Sequence, residues 1–220
     1  MEQKGFVTKL LLGVIVLYGI LNLEFLAIWT GKTFLNSNDA LMGIGIRILT
    51  YIFWGGGTYL VMKKFEILGF NPMKQKETPP AKGWYIALIL GIINTAYSFV
   101  DWGCVLKPIA EFQYITGQLG YGSGIVAFVM QYIYYLFETY LFFAMIVLAQ
   151  KAGDIIFKNP NIPWGGIITG LTWGLNHIMT KDLICGIVSC FNAIIFGLCY
   201  LCLKRNAKYS YLFIAILFML

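Results

Sequence analysis

Six mostly apolar runs alternate with short polar stretches along the chain. A helix that crosses a bilayer needs about 20 such residues. The runs predict helices over residues 6–29, 41–62, 83–100, 121–149, 164–179 and 183–203. The polar gap TGKTFLNSNDA separates the first two. The longest polar linker, residues 63–82, carries five lysines and the Pro79-Pro80 pair. Residues 101–120 are weakly apolar and read as a connection that lies in an interface or re-enters. After Lys204-Arg205-Asn206 the tail KYSYLFIAILFML reads as a seventh helix cut short, a partial insertion or a packed half-helix.

Composition sharpens this pattern into a class. Apolar types make up 59 % of the 220 residues and charged types 12 %. A soluble domain carries about 25 % charged residues, so too little polar material is present to cover a water-exposed globule. The reading is all-α, a polytopic transmembrane bundle of six to seven helices forming one integral membrane domain over 1–220. The N-terminal run lacks a prompt small-x-small site and reads as a retained helix rather than a cleaved leader.

The charges then set a topology. With the N-terminus inside, the inner segments hold twelve lysines or arginines and the outer ones three, Lys32, Lys107 and Lys181. That asymmetry places the N-terminus and the basic loop 63–82 in the cytoplasm. Arg47 sits within the second helix and is expected to snorkel, and Glu24 is expected at an interface. The net charge of +6 follows from topology. The basic residues do not cluster with aromatics, so the lipid bilayer is the expected partner and nucleic acid is not.

Polar groups at membrane depth are costly and mark candidate sites. Asn94, Glu138, His177 and Asn192 fall on four different helices. Counted along each helix, all four lie roughly 16 to 21 Å from the inner ends, which predicts one shared polar site. Gln131, Tyr135 and Glu138 follow at i, i+4 and i+7 on one face. Gly166, Gly170 and Gly174 repeat every four residues and allow close helix approach. Trp173 and the lone His177 share a face, with Asn176 beside them. Glu138 and His177 read as a bonded pair joining two helices, as a catalytic or ligand site, or as groups that never meet. Cys199 and Cys202 form a single Cys-x-x-Cys without a second pair, which reads as packing rather than zinc ligation.

Around Glu138 and His177 the sequence resembles the CAAX-protease and bacteriocin-processing family of intramembrane proteases. That family carries Glu-Glu-x-x-x-Arg on one helix, Phe-x-x-x-His further along, and a final His-x-x-x-Asn or related motif. Phe137-Glu138-Thr139-Tyr140 occupies the position of the first and Trp173-Gly174-Leu175-Asn176-His177 that of the second, with an aromatic at the right offset. Residues 191–206 resemble the third region, and the similarity spans about residues 120–210. Thr139 stands at the second glutamate, Phe143 at the arginine, and the tail, which has no histidine, carries Ala215 and Met219 or their neighbours where the final pair would sit.

The resemblance implies an endopeptidase acting on prenylated or hydrophobic peptides from the cytoplasmic side. Glu138, His177 and Asn192 would be catalytic, and Asn94, Gln131, Tyr135, Trp173 and Asn176 supporting. It also implies a divalent metal such as zinc on His177 and Glu138, although a catalytic zinc normally takes three protein ligands. The departures leave a second expectation open: a catalytically silent subunit or immunity-type protein that binds a peptide or a partner membrane protein.

Overall fold

A computed structural model of the chain describes residues 2–34, 40–74 and 77–220. The expected loop at 35–39 and Lys76 of the basic linker lie outside the described residues, as does the side chain of Lys32. The architecture is an all-α bundle, with no strand among the described residues.

Helix α1 (Glu2–Phe34) is longer than the apolar run that predicts it. The second run forms one rod in three pieces: α2 (Ala40–Tyr51), a π-helical turn (Ile52–Gly56) and α3 (Gly57–Ile67). A short 3₁₀ turn (Pro72–Lys74) and α4 (Ala81–Asp101) follow. The fifth run gives a second interrupted rod: α6 (Trp164–Thr169), a π turn (Gly170–Gly174) and α7 (Leu175–Thr180). Helices α8 (Leu183–Cys202) and α9 (Ala207–Met219) complete the chain. Among the described residues, four helices are long and apolar enough to cross a membrane, one of them, Lys107–Phe157, broken at Gly120. Six were expected; the π turns divide the other two.

Within the region 101–120, residues 107–119 are helical. Helix α5 (Lys107–Phe157) begins inside it, with Pro108 in the first turn. At Gly120 the backbone takes φ 73° and ψ 166°, and the helix reverses. This conformation is open to glycine and strained for other residues. A Cβ on Gly124 would lie 2.8 Å from the Thr116 Cα, so the limbs 107–119 and 121–157 fold back tightly. The rings of Phe112 and Phe128 meet at 5.2 Å, and the Tyr132 hydroxyl donates to Glu111 at 3.0 Å.

The second limb is the axis of the bundle. Leu141, Phe142, Met145, Ile146 and Leu148 are fully buried on it. Helices α1, α6 and α9 pack around it, and α8 packs on α4 and on the α6–α7 rod. Close helix approach rests on glycine, as the repeat predicts: a Cβ on Gly166 would sit 2.6 Å from the Ala193 carbonyl oxygen. Gln150, also fully buried, ties α5 to the next connection. Its Nε2 donates to the Ile162 carbonyl at 2.9 Å, and its Oε1 accepts from the Gly165 N–H at 3.0 Å.

The tail is a packed half-helix. Asn206 caps α9 by accepting from the Tyr209 N–H at 3.2 Å. Thirteen residues rise about 20 Å, so α9 ends inside the bundle. Its last carbonyls would be orphaned there. Side chains of α4 and α5 reach all four, although the single Tyr132 hydroxyl proton is shared with Glu111. Asn94 reaches Leu217 at 3.5 Å, Lys107 reaches Phe218 at 2.7 Å, Tyr132 reaches Met219 at 3.5 Å and Ser98 reaches Leu220 at 3.1 Å.

Lys107 adds charge to that cap, at the negative end of the helix dipole. Its ammonium also lies 4.3 Å from the centre of the Tyr135 ring and 4.8 Å from that of Phe218. Replacing Lys107 by Met removes the strongest donor and leaves a buried carbonyl unpaired. The expected cost is about 1–3 kcal/mol, read as a lower melting temperature with faster hydrogen exchange confined to the end of α9.

Candidate functional site

Because α9 fills only half of the bundle's length, a cavity of about 490 Å³ remains above its end. Leu217 and Phe218 of α9 form part of its wall. Exposed Asp101, Trp102, Thr180 and Lys181 rim it. These lie at the ends of α4 and α7, opposite the end that carries residues 63–82. All eight sequence-nominated residues line this one space: Asn94, Gln131, Tyr135, Glu138, Trp173, Asn176, His177 and Asn192.

Trp173 organises the centre. It sits in the π turn of the α6–α7 rod, where an extra residue per turn re-aims side chains and often marks a functional site. Its Nε1 donates to Glu138 Oε1 at 2.8 Å, and its carbonyl meets His177 Nδ1 at 3.0 Å. The indole and imidazole rings stand edge to face with centres 4.9 Å apart. Phe142 packs on Trp173 at 4.7 Å and on Phe196 at 5.5 Å, fixing the indole from behind. Among the described residues no hydrogen bond or ion pair joins Glu138 to His177 directly. The expected pair is therefore linked through Trp173 rather than closed on itself.

The histidine contact fixes a tautomer. A carbonyl oxygen can only accept, so Nδ1 donates in this contact, and in the neutral ring that leaves the lone pair on Nε2. That makes Nε2 an acceptor. Asn176 has a different role: its Oδ1 accepts from the Tyr18 hydroxyl at 2.8 Å and its Nδ2 donates to Asn22 at 3.2 Å, holding α7 to α1. Asn94 is buried with its Oδ1 unpaired.

The cavity also contains charges that the sequence pattern places elsewhere. Glu24, expected at an interface, is half-buried, lines the cavity and accepts from the Tyr134 hydroxyl at 2.8 Å. Glu111 accepts from Tyr132 and Tyr135. Arg47 turns into the cavity wall, with a buried Nη1 lacking a hydrogen-bond partner. Lys107 and Glu111 had a signal: four residues apart, they flank an otherwise apolar start to α5, where Glu111 and Glu138 are the only acids before Lys151. Reading residues 101–120 as a connection hid it.

The donor set does not fit the zinc that the resemblance implies. Glu138 and His177 supply two ligands at most. Among the described residues no three His, Cys, Asp or Glu side chains gather closely enough to hold a metal ion. Glu138 also spends one oxygen on Trp173, and His177 spends one nitrogen on a carbonyl.

No protein-family model, no curated protein and no solved structure matches the chain.

Proposed function

We propose that the chain is a multi-pass membrane protein with a cytoplasmic N-terminus and a CAAX-protease-like endopeptidase site for hydrophobic peptides. Its exterior supports insertion: Ile89, Ile92 and Val100 on α4 and Phe191 on α8 are among many large apolar side chains left exposed. A water-soluble protein rarely exposes such continuous apolar surface. The basic residues at one end agree with the positive-inside rule.

One observation carries the catalytic reading. Glu138 and His177 are both anchored on Trp173 and line the same cavity. In the proposed reaction Glu138 accepts a proton from water, and the resulting hydroxide adds to the scissile carbonyl carbon. His177 Nε2 accepts from the same water and orients it. The Asn192 amide donates to the oxygen that becomes negative. Glu138 then returns the proton to the leaving amine as the C–N bond breaks. With Nδ1 committed, His177 suits this accepting role better than the oxyanion-donor role.

The mouth lies opposite the basic end. With the N-terminus inside, peptides enter from the outer side, which favours hydrophobic peptides there over prenylated peptides of the cytosol. A second reading, a silent peptide- or partner-binding subunit, is favoured by the departures from the motif at Thr139, Phe143 and the tail. Thr139 is fully buried and donates to the Tyr135 carbonyl at 2.7 Å, and Phe143 packs edge-on to Tyr200.

The test uses the full chain in nanodiscs, which expose both faces, against hydrophobic and prenylated peptide libraries read by mass spectrometry. The expected result is cleavage of hydrophobic peptides that a metal chelator does not remove. Tight peptide binding with no product at any pH would replace this reading with the second one.

A further inference from the structure

The described helices form two halves of opposite sense. Helix α1, the α2–α3 rod and α4 are followed, in the same order, by the limb 121–157, the α6–α7 rod and α8. Gly13 abuts Leu148 and Glu24 bonds Tyr134, so the two long helices run antiparallel. Each rod turns back along its own long helix. Trp54 meets Leu21 and Phe65 meets Gly13 in the first half; Trp173 meets Glu138 and Gly165 meets Ile146 in the second. The two rods therefore oppose each other too. Gly83 of α4 abuts Cys202 and Tyr97 lies near Asp182, so α4 and α8 are antiparallel as well. The breaks also correspond. Thr50-x-Ile52-x-Trp54-Gly55 and Thr169-x-Leu171-x-Trp173-Gly174 stand at the two π turns. Both threonines and both tryptophans are buried, and Trp54 and Trp173 line the one cavity. Inverted halves with helices broken at matching positions place a transported ligand at their interface.

The halves differ in their last helices. Residues 107–119 fold back on the start of the limb 121–157, and among the described residues only Lys107 and Glu111 of that stretch line the cavity. Helix α9 instead enters from the basic end and fills the inner half. This difference leaves the outer half open and the inner half closed. The end of α9 is held by side chains, and three of them, Asn94, Ser98 and Lys107, line the cavity. An occupant therefore lies against the groups that keep α9 in place. The walls carry both signs of charge, Glu24, Glu111 and Glu138 with Arg47 and Lys107, beside the apolar faces of Trp54 and Phe218. Among the described residues none of the five charged groups joins an ion pair. A short hydrophobic peptide with both termini free matches that mixture.

We propose that the bundle carries short zwitterionic hydrophobic peptides across the membrane by alternating access, with α9 as the inner gate. The cavity open at the outer mouth is one of two states. In the other the two rods exchange roles, the end of α9 leaves its side-chain caps, and the cavity opens at the basic end. The peptide shifts this equilibrium by binding the two states unequally. The proposal rests on the reading of this cavity as a peptide site in a membrane, and not on the cleavage step.

Counterflow in proteoliposomes holding the full chain tests it. Vesicles of phosphatidylcholine and phosphatidylglycerol are loaded with unlabelled Leu-Trp-Leu, and deuterated Leu-Trp-Leu is added outside. Intact labelled peptide is expected to accumulate inside, transiently above its outside concentration, and not in protein-free vesicles. A Cβ on Gly91 of α4 would lie 2.9 Å from a Leu217 methyl of α9, so cysteines at these two positions are close enough for a disulfide. Gly91→Cys/Leu217→Cys protein is expected to lose counterflow when oxidised, with the bond confirmed by mass, and to regain it on reduction. Leu217→Cys alone should be indifferent to oxidation. Counterflow no greater than in protein-free vesicles, or undiminished by the disulfide, overturns the proposal. Cleavage of the peptide without counterflow overturns it and leaves the catalytic reading standing; counterflow of uncleaved peptide supports it while the catalytic reading falls.

Discussion

Glu138→Gln is expected to lower peptide cleavage by about 10²- to 10⁴-fold, the usual contribution of a general base, with little change in the fold. The amide is isosteric, and its oxygen can still accept from Trp173 Nε1, a bond of 2.8 Å in the native protein. What it loses is the ability to take a proton from water. Single-turnover cleavage of the best library peptide measures the effect, and the melting temperature checks the fold. Glu138→Ala is a poorer control. It strands a buried indole N–H at a cost of about 1–3 kcal/mol, so lost activity and lost stability become mixed. Trp173→Phe separates them further. It keeps the aromatic packing on Phe142 and Phe196 but frees the carboxylate, so the rate is expected to fall while peptide affinity holds. Undiminished cleavage by Glu138→Gln would remove the carboxylate from the mechanism.

The sequence exposes the helices because an apolar run of about 20 residues matches the thickness of a bilayer core and is too long for most strands. It exposes the polar centre for the complementary reason: Asn94, Glu138, His177 and Asn192 interrupt such runs, and each interruption needs partners. What it hides is geometry set by neighbours. The π turn at Gly170–Gly174 aims Trp173 between Glu138 and His177, yet the four-residue glycine repeat signals only close packing. The reversal at Gly120 depends on one positive φ, and several glycines nearby could have supplied it. Once 107–119 is read as a connection, Lys107 becomes a loop charge rather than the cap of α9. Glu24 and Arg47 mislead for a related reason. Each lies near the end of its apolar run, where an interfacial position is the economical reading, but the half-length of α9 leaves a polar space into which both turn. A tail of about a dozen apolar residues is compatible with three arrangements. Only the side chains at the end of α9, Asn94, Ser98, Lys107 and Tyr132, decide among them.

The largest stability effect is expected from Gly165→Ala. A Cβ there would sit 2.2 Å from the Ile146 carbonyl oxygen and 2.9 Å from its carbon. The obstacle is backbone in the middle of α5, so no side-chain rotation relieves it. Overpacking of this kind costs about 1–3 kcal/mol and sometimes more, seen as a lower melting temperature in detergent. Gly19→Ala is the matched control. Gly19 lies within α1 with nothing within 4 Å of an added Cβ, and a helical Gly→Ala change stabilises by about 0.5–1 kcal/mol. The two substitutions should therefore move stability in opposite directions. The consequence reaches the site, because the approach of α6 to α5 at Gly165 sets the spacing that the Trp173–Glu138 bond must span further along the same rod. Gly165→Ala protein that remains folded should lose cleavage along with that bond. Retained activity together with reduced stability would show that the π turn absorbs the displacement before it reaches Trp173.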